Sequence, residues 1–145
     1  ISLLEEEDWD EVMGVNVKGP YLYCRAVLRH MIKARAGHIL NIGNFASERV
    51  LEAPIHYAAS KSALRGMTEA LAREVGRYGI QVNLLAPGLL TEGMSQGLPQ
   101  HRLAEYMAQC PTGALGDPRA VAELAAFMVS APFMPGAKVV ADGGL

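Results

Sequence analysis

The fold class follows from one stretch of the sequence, Ile80-Gln81-Val82-Asn83-Leu84-Leu85-Ala86-Pro87-Gly88. Apolar residues dominate its first seven positions and Pro-Gly ends it, which is typical of a short strand that is buried on both faces. Similar strands are predicted from His38 to Gly43 and from Lys138 to Ala141. Helical apolar spacing separates the strands, and strands joined by helices are typically parallel. We therefore predict a three-layer α/β fold with a doubly wound parallel sheet.

The helices are predicted from apolar spacing and from the residues that end it. Gly14, Gly19 and Pro20 predict that the first helical stretch is broken into two helices, and Gly37 fits the C-terminal cap of the second. The other helices are predicted from about His56 to Tyr78, from Pro99 to Gln109, and from Asp117-Pro118 to about Ser130.

Composition excludes several classes of function. The 145 residues allow one domain, and a chain that is 50% hydrophobic and 19% charged is not a disordered tail. Thirteen basic and fifteen acidic residues give a net charge of -2. The sequence therefore has no excess of positive charge of the kind that favours binding to nucleic acid or to an anionic membrane. Cys24 and Cys110 have neither a disulfide framework nor metal-ligand spacing. We expect a cytoplasmic protein without a metal site and without a nucleic-acid or membrane partner.

The clearest chemistry lies in His56-Tyr57-Ala58-Ala59-Ser60-Lys61. Tyr57 and Lys61 are four positions apart, so on a helix they share one face. An ammonium group beside a phenol favours the phenolate and lowers the pKa of tyrosine from about 10. Such a phenol can exchange a proton with a substrate oxygen near neutral pH. The spacing alone also fits an ordinary pair of interacting side chains on a helix surface. The surrounding sequence is therefore needed to choose between a structural and a catalytic pair.

That surrounding sequence resembles the carboxyl-terminal part of the short-chain dehydrogenase/reductase family. The matching segments are Trp9 to Gly19 (WDEVMGVNVKG), Gly37 to Ile42 (GHILNI), Tyr57 with Lys61, Ile80 to Gly88, and Asp142-Gly143-Gly144. Within the family, the sequence is most similar to 3-oxoacyl-[acyl-carrier-protein] reductases. The resemblance implies an NAD(P)H-dependent oxidoreductase of the carbonyl reductase or alcohol dehydrogenase type. Reduction of a 3-oxoacyl thioester in fatty acid or polyketide biosynthesis is the expected reaction.

The resemblance also assigns roles to residues. Tyr57 is expected to protonate the substrate carbonyl as hydride arrives from a nicotinamide. Lys61 is expected to lower the pKa of Tyr57 and to bind the nicotinamide ribose, and Asn16 to hold a water that links Lys61 to solvent. The backbone of Pro87-Gly88-Leu89-Leu90 is expected to lie against the nicotinamide carboxamide. The expected cofactor-binding residues are therefore Tyr57, Lys61, Pro87, Gly88 and Leu90.

Two positions depart from the family pattern. The family's catalytic serine lies thirteen residues before the tyrosine, and Asn44 occupies that position. A carboxamide can donate a hydrogen bond to a carbonyl oxygen but cannot exchange a proton, so Asn44 is expected to replace the serine as a donor. Ser47 is the alternative if the loop is remodelled. Glu92 lies five places after Pro87, at the position where the family has a threonine. This change weakens the expected binding of the nicotinamide carboxamide.

No glycine-rich turn such as G-x-G-x-x-G precedes a helix in this chain. Residues 1–145 are therefore expected to form the C-terminal part of a single Rossmann-type domain, with the N-terminal cofactor-binding half missing from this chain. NADP or NAD is the expected cofactor, with NADP favoured by the resemblance alone. The expected partners are a small-molecule or carrier-bound acyl substrate and other subunits. A homo- or hetero-oligomer is expected to assemble through two long helices, Tyr21 to Arg35 and Tyr57 to Tyr78.

Two other functions stay open. Asn44, Glu92 and the missing half fit a non-catalytic subunit that stabilises an active partner in a hetero-oligomer. The other alternative is a module that binds an acyl chain or an acyl carrier protein. One stretch forms the substrate lid in relatives, and its side chains fit either an acyl channel or the core: Met94, Leu98, Tyr106 and Met107.

Overall fold

The structure, a computed structural model, describes residues 1–47 and 53–145. The helices in this part of the chain are α1 (Glu6–Met13), α2 (Gly19–Ala34), α3 (Ile55–Val75), α4 (Gln100–Gln109) and α5 (Pro118–Ser130). The strands are β1 (Gly37–Ile42), β2 (Ile80–Pro87) and β3 (Lys138–Ala141). A π-helical turn (Gly14–Lys18) joins α1 to α2, and short 3-10 turns occupy Phe45–Ser47, Gly76–Tyr78 and Gly93–Gly97.

The described strands form one sheet in the order β1-β2-β3, and both pairs are parallel. Gly37 at the start of β1 pairs with Ile80 at the start of β2, and Ile42 pairs with Leu85. The carboxyl ends of β1 and β2 therefore meet at the same edge of the sheet. The predicted parallel α/β fold is confirmed, and ligands of such sheets bind outside the carboxyl ends of the strands.

β2 lies at the centre of the core. Val82, Asn83 and Leu84 are at most 2% exposed, although neighbouring side chains in a strand point to opposite faces. Both faces of β2 are therefore covered, and α3 and α5 both contact it. The cluster that joins α3 to β2 consists of Ala72, Val75, Ile80 and Val82, with Leu28, Met31 and Ile32 of α2 packed against it.

The first helical stretch differs from the prediction. Gly14, Gly19 and Pro20 do not break it, because α1 continues through the π-helical turn into α2, and the Gly19 N–H donates to the Gly14 carbonyl. Pro20 fits because it lies in the first turn of α2, where its missing N–H costs no helical hydrogen bond. The cap of α2 is also different: Arg35 takes the left-handed position with φ 51°, and Gly37 is already in β1.

The other predicted elements agree with the structure to within a few residues. Gly79 closes the segment after α3 with φ 75°. Asp117 caps α5, and its carboxylate accepts a hydrogen bond of 2.8 Å from the Arg119 N–H. Among the described residues, no helix is both long and apolar enough to cross a membrane.

Candidate active site

The predicted catalytic residues gather at the carboxyl edge of the sheet. Asn44 follows β1 by two residues, and Pro87 is the last residue of β2. Lys61 on α3 reaches this edge, because its Nζ donates to the carbonyl oxygen of Ile42 at 3.2 Å. The loop after β1, the turn after β2 and the first turns of α3 therefore lie together at the carboxyl edge of the sheet.

Asn16 is held there by the π-helical turn. The turn contains one more residue per hydrogen bond than an α-helix, which is a common arrangement at functional sites. The Asn16 carboxamide Nδ2 donates to the Ser60 hydroxyl at 3.0 Å, and that hydroxyl donates to the Tyr57 carbonyl at 2.8 Å. Ser60 is fully buried. Asn16 is therefore linked through Ser60 to the helical turn that carries Tyr57.

Tyr57 and Lys61 lie on the same face of α3, as their spacing predicts. The Lys61 Nζ is 5.7 Å from the centroid of the Tyr57 ring. Within residues 1–47 and 53–145, the ammonium donates its hydrogen bond to Ile42 and not to the phenol oxygen. Lys61 is therefore fixed by the end of β1, with the ring of Tyr57 beside it.

The pKa of Tyr57 moves in the direction opposite to the prediction. Burial raises the pKa of the Tyr57 phenol above its ordinary value and lowers the pKa of the Lys61 ammonium. In this structure the effect of burial therefore exceeds any lowering of the Tyr57 pKa by Lys61, and the role of Lys61 toward the phenol stays a prediction. The physical reason is that Lys61 is bound to a backbone carbonyl at one side of the ring, so desolvation decides the ionisation of both groups.

Asn16 and Lys61 line one cavity of about 320 Å³ between α2 and β1. Its wall also contains Leu40 and Ile42 of β1 and Tyr23 of α2. No hydrogen bond joins Asn16 directly to Lys61 among the described residues. The cavity is large enough for ordered water, and water in such a site needs two to four polar partners. The role of Asn16 in holding a water stays a prediction.

Asn44 lies in a tight turn that fixes one side of its carboxamide. Its Oδ1 accepts a hydrogen bond of 2.9 Å from the Ala46 N–H. This leaves the Nδ2 donor as the part of the carboxamide available to a ligand. The Ser47 hydroxyl donates to the Asn44 carbonyl at 2.8 Å, so this side chain already serves the turn. Which of Asn44 and Ser47 replaces the family's serine stays a prediction.

The turn after β2 is held by several segments. The Gly88 N–H donates to the Ala141 carbonyl at 2.9 Å, and the Gly116 N–H donates to the Leu89 carbonyl at 2.8 Å. Gly88 has no room for a side chain, because a Cβ there would lie 2.8 Å from the Asp142 Cα. Within the described part of the chain, the Leu90 N–H donates to no acceptor, so it is a donor that a ligand could use.

Thr91 and Glu92 follow this turn and are both exposed. The Glu92 carbonyl accepts from the Ser95 hydroxyl at 3.2 Å, and the same hydroxyl donates to the Leu90 carbonyl. The Glu92 carbonyl therefore takes part in the hydrogen bonds at the start of the 3-10 turn that follows it.

No role was predicted from the sequence for two hydroxyl groups near the site, those of Ser60 and Tyr106. Ser60 is a small residue on one face of α3, and only the three-dimensional position of Asn16 gives its hydroxyl a role. Tyr106 was expected to line an acyl channel or the core. It is 7% exposed and packs in the core with its ring, but its hydroxyl also contacts the turn after β2 at the Leu89 N–H.

Comparisons with known proteins agree with this arrangement. A family model described as enoyl-(acyl carrier protein) reductase matches residues 1–145. A 3-oxoacyl-[acyl-carrier-protein] reductase of Chlamydia pneumoniae is 37% identical over 144 residues, which is 98% of this chain and 58% of the relative. A (3R)-3-hydroxyacyl-CoA dehydrogenase of Canis lupus familiaris is 37% identical over 98% of this chain and 56% of its own length.

Two solved structures also match. A gluconate 5-dehydrogenase from Burkholderia cenocepacia J2315 in complex with NADP and tartrate superposes with a TM-score of 0.93 at 32% identity, covering 98% of this chain and 57% of the other. A 3-oxoacyl-[acyl-carrier protein] reductase from Brucella melitensis with bound NAD has a TM-score of 0.92 at 34% identity, covering 100% and 54%. This chain thus spans little more than half the length of the proteins that it matches.

Proposed function

Because the chain belongs to the short-chain dehydrogenase/reductase family, we propose that the protein reduces the carbonyl of a 3-oxoacyl thioester with a nicotinamide cofactor. The observation that carries the proposal is the placement of Tyr57 and Lys61 on one face of α3, with Lys61 bound to the carbonyl at the end of β1. A proton donor and a cation thus lie at the edge of the sheet where parallel α/β folds bind ligands.

The residues at this edge fit the nicotinamide end of a dinucleotide. The Leu90 N–H is a donor without an acceptor among the described residues, which suits a carboxamide oxygen. Gly88 keeps the backbone of the turn free of a side chain, and Lys61 is the cation at the same edge. We assign cofactor binding to Tyr57, Lys61, Pro87, Gly88 and Leu90. When bound, a reduced nicotinamide supplies the hydride for the carbonyl carbon.

Tyr57 then supplies the proton. Hydride addition leaves negative charge on the carbonyl oxygen, the Tyr57 O–H bond breaks, and the proton completes the hydroxyl group of the product. A pKa raised by burial suits this direction, because it keeps the phenol protonated at neutral pH. The tyrosinate that remains is stabilised by the Lys61 ammonium beside the ring.

The proton on Tyr57 has to be restored from solvent. Lys61 and Asn16 line the same cavity, so the Lys61 ammonium can give a proton to the phenolate and then regain one from solvent through water held between the two side chains. The Asn16–Ser60 hydrogen bond supports this role because it fixes the carboxamide relative to the helix of Tyr57. Asn44 contributes a hydrogen bond from its Nδ2 to the substrate carbonyl oxygen, in the position where the family has serine.

The relatives support the cofactor class and the substrate class. The matched gluconate 5-dehydrogenase holds NADP and the matched 3-oxoacyl-[acyl-carrier protein] reductase holds NAD, so the proposal covers both cofactors. The matched relatives include a reductase of acyl groups on a carrier protein and a dehydrogenase of acyl groups on coenzyme A. The proposed substrate is therefore a 3-oxoacyl thioester.

We further propose that residues 1–145 are the C-terminal part of one Rossmann-type domain. Among the described residues, β1 has a neighbouring strand on one side only, and Ile42 in this strand is 48% exposed. An open apolar edge of a parallel sheet is normally covered. The cavity between α2 and β1 supports the same proposal, because apolar side chains such as Val27 and Ile39 line it.

Assembly through α2 and α3 is also proposed. Several large apolar side chains in the first two turns of α2 are exposed, among them Tyr21 and Leu22 at 49% and 46%, and a contiguous exposed apolar patch indicates an interaction surface. Leu22→Asp is expected to shift the protein to smaller species in sedimentation velocity. Met94→Asp, a change at another exposed apolar side chain outside α2, is the control and should leave the distribution unchanged. Equal distributions for all three proteins would contradict assembly through α2.

A second candidate function is a non-catalytic subunit that stabilises an active partner. Asn44 favours it, because a carboxamide in the serine position cannot exchange a proton.

The two functions differ in turnover by the purified protein. Oxidation of NADPH and of NADH is followed at 340 nm with a 3-oxoacyl thioester for the wild type, Tyr57→Phe and Tyr78→Phe. The enzyme hypothesis requires turnover that Tyr57→Phe abolishes and Tyr78→Phe retains. Absence of turnover in the wild type, or full turnover in Tyr57→Phe, would overturn it.

A further inference from the structure

The turn after β2 depends on a side chain far along the sequence. Its backbone hydrogen bonds reach β3 through the Gly88 N–H and the segment before α5 through the Leu89 carbonyl. The Leu89 N–H has a different acceptor, the phenol oxygen of Tyr106 on α4, at 3.0 Å. Leu89 lies between Gly88 and Leu90, the two residues of the turn that are assigned to the nicotinamide carboxamide.

The same phenol also binds the C-terminal segment. The Tyr106 hydroxyl donates to the Asp142 carbonyl at 3.1 Å, so one oxygen accepts from the turn and donates to the segment after β3. Its ring packs edge-to-face on Phe45, with ring centroids 5.3 Å apart at an angle of 65°. Phe45 directly follows Asn44, so Tyr106 contacts the loop after β1 as well as the turn after β2.

The phenol has a defined place because Gly88 has no side chain. A Cβ on Gly88 would overlap the Tyr106 hydroxyl oxygen and would lie 2.8 Å from the Asp142 Cα. Gly88 thus leaves the room that the hydroxyl fills. A phenylalanine would satisfy the ring contacts, but it would leave the part-buried Leu89 N–H without its acceptor, and a donor that loses its partner away from bulk water is costly.

We propose that Tyr106 is a positioning residue, whose hydroxyl fixes the Leu89 N–H and thereby sets the turn that presents Leu90 to the cofactor. The inference rests on the proposed function, since it assumes that the turn binds a nicotinamide. It differs from a role in core packing, which needs the Tyr106 ring and not its oxygen. It also gives α4 a part in cofactor binding without a direct contact from α4 to the cofactor.

The test is the affinity for NADPH and NADH in Tyr106→Phe, measured by fluorescence titration of the purified protein and as KM in turnover. Tyr78→Phe is the matched control, because it removes one phenol oxygen in the 3-10 turn that follows α3, away from the turn after β2. The expected result is a Kd and a KM for the cofactor that rise about fivefold or more, with kcat within about twofold. Tyr78→Phe should leave both constants unchanged.

The outcomes separate this inference from the proposed function. A wild-type protein that binds neither cofactor overturns the proposed function and this inference with it. A wild type that binds cofactor and a Tyr106→Phe variant with unchanged Kd and KM overturn this inference alone, even if the melting temperature falls. A Tyr106→Phe variant whose kcat falls while KM stays constant also overturns it.

A second variant keeps the test decisive if Tyr106→Phe does not fold. 4-Aminophenylalanine, introduced at position 106 by amber suppression, retains an N–H donor for the Asp142 carbonyl and is a poor acceptor for the Leu89 N–H. We expect this variant to fold and to bind the cofactor about fivefold or more weakly than the wild type. Wild-type affinity in this folded variant would show that the Leu89 hydrogen bond does not set the turn for the cofactor.

Discussion

Asn16 and Ser60 are 44 residues apart in sequence, and the Asn16 carboxamide donates to the Ser60 hydroxyl across 3.0 Å. Ser60 is one residue before Lys61 and three after Tyr57, and its own hydrogen goes to the Tyr57 carbonyl. A polar side chain from the π-helical turn is thereby fixed against the helix of the proposed proton donor. Since Ser60 is fully buried, water does not compete for its hydroxyl group in the folded protein.

Ser60→Ala is therefore expected to weaken both stability and turnover. The Asn16 Nδ2 would lose its acceptor inside the protein, which costs about 1–3 kcal/mol. Without this anchor the carboxamide can rotate away from the cavity that it shares with Lys61. We expect the free energy of unfolding in urea to fall by about 1–2 kcal/mol and kcat for reduction to fall about tenfold.

Ser62→Ala is the matched control, since Ser62 lies on the same helix and no described contact uses its hydroxyl. It should change the free energy of unfolding by less than about 0.5 kcal/mol and should leave turnover unchanged. Equal effects of the two substitutions would contradict a specific role for the Asn16–Ser60 hydrogen bond.

The ionisation of Tyr57 in the free protein gives a second prediction. Burial raises its pKa, so the phenol is the dominant form below pH 10 and is lost only as the pH rises through a value above 10. The difference in absorbance at 295 nm between the wild type and Tyr57→Phe isolates this residue from the other tyrosines. We expect no tyrosinate signal from Tyr57 up to about pH 10.

The same shift links to stability. The unfolded chain ionises its tyrosines near pH 10, whereas folded Tyr57 resists ionisation, so its contribution to stability is full below that pH and decreases above it. The loss of stability between about pH 10 and 11 should be smaller in Tyr57→Phe than in the wild type. A Tyr57 signal with a midpoint near pH 8 would contradict the prediction and would mean that Lys61 dominates its pKa.

The sheet could be predicted from the sequence because its strands are runs of buried apolar residues. The predicted strand from Ile80 agrees with β2 to within one residue, since Pro87 and Gly88 can only end it. The site could be predicted in outline, because four positions on a helix bring Tyr57 and Lys61 to one face. What escaped prediction depends on distant contacts. The π-helical turn around Asn16 was mistaken for a break, because glycine and proline weaken a helix locally without showing what continues it.

The pKa of Tyr57 escaped prediction for a similar reason. Its direction depends on where the Lys61 ammonium is bound, and the Ile42 carbonyl that binds it comes from another element. The hydroxyl of Tyr106 could not be assigned either, because its two partners lie 17 and 36 residues away along the chain. Only the glycine at position 88 hints at a close approach, and it does not identify the group that approaches.

Gly88→Ala tests the close packing of the turn after β2. The new methyl group would overlap the Tyr106 hydroxyl and the backbone of Asp142, so the turn has to move. Overpacking of this kind costs about 1–3 kcal/mol. We expect a lower melting temperature and at least about tenfold weaker binding of NADPH and NADH in fluorescence titration, because the Leu90 N–H moves with the turn.

Gly97→Ala is the control for that substitution. No atom lies within 4 Å of a Cβ at this position, and its backbone is not left-handed, so the methyl group fits without strain. Its melting temperature and cofactor affinity should equal those of the wild type. Wild-type cofactor affinity in Gly88→Ala would remove Gly88 and Leu90 from the proposed binding site.

Asn44→Ser is the substitution that decides between a weakened enzyme and a non-catalytic subunit. Serine can keep the local turn, because its hydroxyl can accept from the Ala46 N–H as the Asn44 Oδ1 does at 2.9 Å. It also provides a hydroxyl that can both donate and accept a hydrogen bond at the substrate carbonyl, which a carboxamide donor cannot do.

If the protein is an enzyme, kcat for reduction of a 3-oxoacyl thioester should rise about tenfold, equivalent to about 1.4 kcal/mol of transition-state stabilisation. Asn44→Ala, which removes the donor, should lower kcat below that of the wild type. No turnover in the wild type, in Asn44→Ser and in Asn44→Ala would contradict the reductase and favour the non-catalytic subunit, because restoring the family's hydrogen-bonding group then restores nothing.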